Sequence, residues 1–116
     1  MSVSMYYNPK CSKCRATLSL LQEKGIEPEL IHYLETPPSV AALEEVLKKL
    51  RKGSKDIIRF NEEVAKELGI SPVDERVNSE WLKIISDNPK LLERPIVING
   101  DRAVIGRPPE NVLEIL

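Results

Sequence analysis

The feature that most constrains this chain is the sequence Cys11-Ser12-Lys13-Cys14, set between a short apolar segment and a helical one. Val3 to Tyr7 is apolar and aromatic, as a strand should be, and Asn8-Pro9 ends it because proline cannot extend a sheet. Ser12 to Lys24 favours helix, with Ala16, Leu18, Leu20 and Leu21, and Gly25 follows as the expected C-terminal cap. Glu29 to Leu34 reads as a second strand, halted by Glu35-Thr36-Pro37-Pro38. Strand, helix and strand in so short a span make a βαβ unit, which requires parallel pairing.

Ser39 is the expected N-cap of a middle helix, with Glu44 and Glu45 early and Lys48, Lys49, Arg51 and Lys52 late, before Gly53. That order suits the helix dipole at both ends. Ser54 to Phe60 reads as a helical turn, Asn61 to Leu68 as a helix closed by Gly69, and Ser79 to Ser86 as a helix stopped by Asp87-Asn88-Pro89. The period then changes. Ile96 to Ile98, Asn99-Gly100-Asp101 and Arg102 to Ile105 predict a hairpin, with Asn-Gly supplying the positive φ angles of a type I′ turn. Glu110 to Leu116 predicts a terminal helix. The expected class is α/β, with a single domain over residues 1–116.

With 116 residues the chain has room for one domain, and that length buries a core without metal or disulfide staples. Lys plus Arg number 17 against 18 Asp plus Glu, for a formal charge of −1, which argues against charge-driven binding to nucleic acid or an anionic membrane. Five aromatic residues are too few for a base-stacking platform. The longest apolar run, Val40 to Leu43, is far short of a membrane span. No secretory signal fits the N-terminus, so the expected compartment is the cytoplasm. A lone CxxC in a reducing compartment points to redox chemistry or to half a metal site. Zinc would need a second pair of ligands, and His32 is the only histidine, placed inside an expected strand.

At a strand-to-helix junction, Cys11 faces free backbone N–H groups and the positive end of the helix dipole. Both favour thiolate over thiol, and Lys10, Lys13 and Arg15 are expected to add positive charge. The thiolate is the nucleophile, and the same N–H groups suit a small tetrahedral oxyanion. Cys14, one turn on, is within disulfide reach. A single cysteine is most often an inert buried side chain, but a CxxC in this position carries more information.

The segment Tyr6-Tyr7-Asn8-Pro9-Lys10-Cys11-Ser12-Lys13-Cys14-Arg15 resembles the active-site segment of the glutaredoxin-coupled arsenate reductase (ArsC) family. The resemblance continues through Tyr33-Leu34-Glu35-Thr36-Pro37, Asp87 to Val97 and Ile105-Gly106-Arg107-Pro108-Pro109-Glu110, and so spans essentially the whole chain. It implies a thioredoxin-like fold, a mixed four-stranded sheet of βαβ and ββα halves, with a helical insertion at about residues 39–92. It implies that Cys11 attacks arsenate while Arg59, Arg94 and Arg107 surround the anion, as bidentate guanidinium donors can. It also implies a cis Pro95 beside the cysteine and glutathione with glutaredoxin as external reductant; no bound cofactor is expected, and thioredoxin is the alternative reductant.

Two departures stand out. Well-known members have histidine where Tyr7 stands and serine where Cys14 stands. Cys14 would therefore offer an internal resolving thiol. Redox-sensing transcription regulators of the Spx type, which bind RNA polymerase, share the fold and the CxxC, although the Arg107-Pro108-Pro109 element favours the reductase. A generic dithiol–disulfide reductase is a third reading.

Overall fold

A computed structural model describes residues 2–116. They form two compact units, the first running up to Thr36 and resuming at Arg94–Leu116, the second Pro37–Glu93.

The first unit carries the sheet. Strand β1 (Val3–Tyr6) leads to helix α1 (Ser12–Glu23), then to strand β2 (Glu29–Ile31). Strands β3 (Ile96–Asn99) and β4 (Arg102–Ile105) form the hairpin, and a 3₁₀ helix, Pro109–Ile115, closes the unit. The strand order is β2-β1-β3-β4. β1 pairs parallel with β2 and antiparallel with β3, and β3 pairs antiparallel with β4. This is the mixed four-stranded sheet of the thioredoxin-like fold. Val3, Met5, Leu21, Val97, Val112, Ile115 and both cysteines share its buried core.

Local chemistry accounts for the boundaries. α1 ends in a Schellman motif, with Gly25 at φ +76°, Ile26 N–H donating to Leu21 O and Gly25 N–H to Gln22 O, both at 2.9 Å. β2 is shorter than the sequence suggests. His32 lies beyond it, because its carbonyl accepts from Glu35 and Thr36 N–H (each 2.9 Å) and turns the chain out of the sheet. The hairpin turn also differs from expectation. Asn99 is paired with Arg102 inside the ladder, so Gly100-Asp101 is the loop. Only Gly100 of the two has positive φ (+63°), the pattern of type II′ rather than I′. The terminal segment expected as a helix is 3₁₀, started by Pro109.

The second unit is helical: α2 (Val40–Leu50), α3 (Glu63–Leu68) and α4 (Asn78–Asp87), with 3₁₀ turns at Ser54–Ile57 and Pro89–Leu91. Ser39 caps α2, its Oγ accepting from Ala42 N–H at 3.1 Å. α2 stops earlier than Gly53, with Arg51 in the left-handed region at φ +59°. Gly69 closes α3 in the same conformation. Buried Leu43, Val46, Leu47, Leu50, Trp81, Leu82 and Ile85 supply the apolar faces of α2 and α4. Among the described residues no helix is long and apolar enough to cross a membrane.

Candidate active site

The register of the sheet determines what meets at its end. Tyr6, where β1 stops, is paired with Ile31, the last residue of β2, and with Ile96, the first of β3. Ile96 is in turn paired with Ile105, the last of β4. The segments leaving β1 and β2, entering β3 and leaving β4 therefore converge. They carry Asn8 to Cys11, Tyr33, Arg94-Pro95 and Gly106-Arg107.

Cys11 is the N-cap of α1, with extended backbone (φ −92°, ψ 119°), and its Sγ accepts the Cys14 N–H at 3.3 Å. The thiol thus occupies the place where a serine or aspartate oxygen usually caps a helix. Both cysteines are free and buried. Burial by itself raises the Cys11 thiol, but the hydrogen bonds from the Cys14 thiol and N–H, with the hydrogen bond and charge of Arg94, outweigh it and leave Cys11 below its ordinary value. Cys14 moves the other way. Burial pushes it up to about 12, and the thiolate character of Cys11 adds to the rise, while the Asn8 backbone opposes it. One thiol is poised to ionise and its neighbour to keep its proton.

The cation that bears on Cys11 is Arg94 rather than the nearby residues of the motif. Lys10 and Lys13 are exposed, and Arg15 Nη1 donates to Pro9 O at 2.7 Å. Arg107 completes the cluster, with Nη2 3.8 Å from Cys11 Sγ and Nε donating to Arg94 O at 2.7 Å. The Arg94–Pro95 and Arg107–Pro108 bonds are both cis, the second unforeseen from sequence. Arg59 belongs to the second unit, where Nη1 lies 3.9 Å from Glu62 Oε2 and Nε 4.0 Å from Glu93 Oε1. Arg59 N–H donates to Leu91 O at 2.7 Å, next to the Ile58–Leu92 bridge.

Two further residues at this end are not among the site residues expected from sequence. Asn8 is an Asx turn, its Oδ1 accepting Lys10 N–H at 3.0 Å, while its carbonyl accepts Cys11 N–H at 3.0 Å. An Asn-Pro pair ending a strand is the available signal. Tyr33 is buried (1% exposed), and burial pushes its phenol up to about 12 against the pull of Arg94. Nothing in the sequence separates it from an ordinary core tyrosine. His32 is exposed and packs edge-on against Tyr7, with ring centroids 6.0 Å apart. Among the described residues no group of three or more His, Cys, Asp or Glu is placed to hold a metal ion.

Comparison with known proteins agrees with this architecture. The chain is 50% identical over 119 residues to an arsenate reductase of Haemophilus influenzae, covering the whole of both chains. It is 49% identical over 116 residues to YfgD, an uncharacterized protein of Escherichia coli, covering 98% of this chain and 96% of that one. A solved arsenate reductase from Vibrio cholerae superposes with a TM-score of 0.90 at 46% identity, covering 100% of this chain and 98% of that one. The family model described as ArsC family matches residues 6–115. With a match over nearly its full length and a thioredoxin-like sheet bearing the cysteine at its end, the chain belongs to the ArsC family.

Proposed function

We propose that this protein is a thiol-dependent oxidoreductase that reduces arsenate to arsenite. The observation that carries the reading is the meeting of Cys11, lowered below the ordinary thiol range, with the guanidinium groups of Arg94 and Arg107 at the N-terminus of α1. Such a place holds an oxyanion against a nucleophile. The family and the full-length likeness to proteins named arsenate reductase support arsenate as the anion.

The Cys11 thiolate attacks arsenic(V), forming an S–As bond as the As–O bond to one arsenate hydroxyl breaks; that hydroxyl takes up a proton from solvent and leaves as water. Arg94, Arg107 and, by the family resemblance, Arg59 balance the charge of the anion. A second thiol then attacks the Cys11 sulfur. As the S–S bond forms, the S–As electron pair stays on arsenic, which leaves as arsenite, reduced by two electrons. The attacking thiol belongs either to glutathione, with glutaredoxin regenerating Cys11, or to Cys14, giving a Cys11–Cys14 disulfide for glutaredoxin or thioredoxin. Cys14 is held protonated mainly by burial, and the contribution from the Cys11 thiolate disappears once that sulfur is bonded to arsenic.

The test is a coupled assay with arsenate, glutathione, glutaredoxin, glutathione reductase and NADPH. Arsenate-dependent NADPH oxidation is expected, and Cys11→Ser should abolish it. No arsenate-dependent turnover with glutathione, glutaredoxin or thioredoxin as donor would sink the reading.

A further inference from the structure

The two arginine-bearing segments are locked to each other and to α1 at one crowded point. Gly106 lies so close to its neighbours that a Cβ there would stand 2.7 Å from Thr17 Oγ1, 2.8 Å from Pro95 Cγ and 3.3 Å from Thr17 Cγ2. Its N–H donates to Pro95 O at 2.9 Å. The residues next in sequence are tied as well, Arg107 Nε donating to Arg94 O at 2.7 Å. Only glycine permits so close an approach.

Thr17 is fully buried and stands on α1, the helix whose N-cap is Cys11 and whose first turn holds Cys14. Its hydroxyl has no hydrogen-bond partner among the described residues. A buried hydroxyl without a partner is a cost to stability, so what Thr17 contributes here is shape. Its Oγ1 and Cγ2 occupy the place into which a side chain at Gly106 would project. Well-packed interiors do not relax fully into a void, but the segments lining one do shift.

We propose that Thr17, by packing on Gly106, whose N–H is bonded to Pro95 O, is a positioning residue that sets the separation between the Cys11 sulfur and the guanidinium groups of Arg94 and Arg107. The proposal rests on the reading above only for the identity of the oxyanion. Thr17 stands on α1 six residues beyond Cys11. It acts through the segments that carry the arginines.

Two readouts test it: the pH midpoint of Cys11 alkylation by iodoacetamide, followed by mass spectrometry, and the separate KM and kcat for arsenate. Thr17→Val keeps the shape and discards the hydroxyl, and both readouts should match the parent protein. Thr17→Ala removes both contacting atoms; the alkylation midpoint should rise and KM for arsenate should increase about tenfold, with kcat less affected. Gly106→Ala should produce the same pattern by pushing the segments apart. A cooperative thermal melt checks each fold, and if Thr17→Ala loses it, Thr17→Ser, which deletes Cγ2 alone, replaces it. A folded alanine or serine variant with midpoint and KM unchanged would overturn the proposal. So would Thr17→Val behaving like Thr17→Ala, since the hydroxyl would then be the active element. The alkylation arm needs no arsenate. A parent protein without arsenate turnover but with a shifted Thr17→Ala midpoint would reject the reductase and keep the positioning role.

Discussion

Arg107 Nη2 lies 3.8 Å from Cys11 Sγ, across 96 positions of sequence, while the Nε of the same guanidinium is anchored on the Arg94 carbonyl. One planar fork thus faces the thiol with one nitrogen and fixes its own orientation with another. Lysine bears its donors on one nitrogen, without the plane that spaces two of them in a fixed fork, and so does not reproduce this. Arg94 reaches the same sulfur through a hydrogen bond and its charge.

Arg107→Lys is accordingly expected to fail as a conservative replacement. Both Arg107→Ala and Arg107→Lys should lower kcat/KM for arsenate by about 10²-fold or more, in line with losing a preorganised donor from an anion site. Steady-state kinetics at fixed glutathione and glutaredoxin check this, and a lysine variant near the parent value would contradict the fork geometry.

Arg94→Met should raise the alkylation midpoint of Cys11, because it removes one of the groups that hold the thiol low. In the parent protein that midpoint should lie below that of an ordinary thiol. The rate of iodoacetamide reaction against pH, read on Cys11 by mass, gives both numbers.

Stability should depend on pH with opposite signs at the two cysteines. Cys11 is lowered in the fold, so it contributes stability above the ordinary thiol value and loses it as pH falls through its own. Cys14 is raised to about 12, so from about 8.5 upward the unfolded chain sheds a proton that the native state keeps, and stability falls. Tyr33, also raised to about 12, deepens that loss above about 10. Urea unfolding between pH 7 and 11 should show a declining alkaline limb that is shallower in Cys14→Ala. An equally steep limb in that variant would count against the buried, protonated thiol.

Cys14→Ser separates the two routes of turnover. It should keep activity with glutathione and glutaredoxin and lose activity supported by thioredoxin, because only the latter needs the internal disulfide. Unchanged kinetics with both donors would make Cys14 a bystander.

Two left-handed helix ends in the second unit give a stability contrast. Arg51 adopts φ +59° with a Cβ, whereas Gly69 adopts φ +68° without one. Arg51→Gly should stabilise by about 0.5–1 kcal/mol, and Gly69→Ala should destabilise by about 1 kcal/mol. Urea midpoints at constant m-value would show both.

The sequence by itself determined the elements whose causes are local. The thiol at a helix start follows from an apolar strand broken by Asn8-Pro9, and Ser39, Gly25 and Gly69 mark helix ends through their own backbone and side-chain chemistry. Parallel β1 and β2 follow from the βαβ order. Local signals were less reliable where the tertiary structure chose among close alternatives: β2 stops at Ile31, Asn99 is in the ladder, Arg51 rather than a glycine ends α2, and the last segment is 3₁₀.

Only the tertiary structure decided what surrounds the sulfur. Without the family resemblance, Lys10, Lys13 and Arg15 were the natural source of positive charge, being adjacent in sequence, yet Lys10 and Lys13 are exposed, Arg15 is bonded to the Pro9 carbonyl, and Arg94 acts on the sulfur instead. The reason is register. Tyr6 pairs with Ile96 and Ile96 with Ile105, so residues 94 and 107 arrive beside residue 11 through two ladders that no local pattern encodes. The closeness of Gly106 to Thr17 is of the same kind, since it exists only once a helix and two strand ends have been packed together.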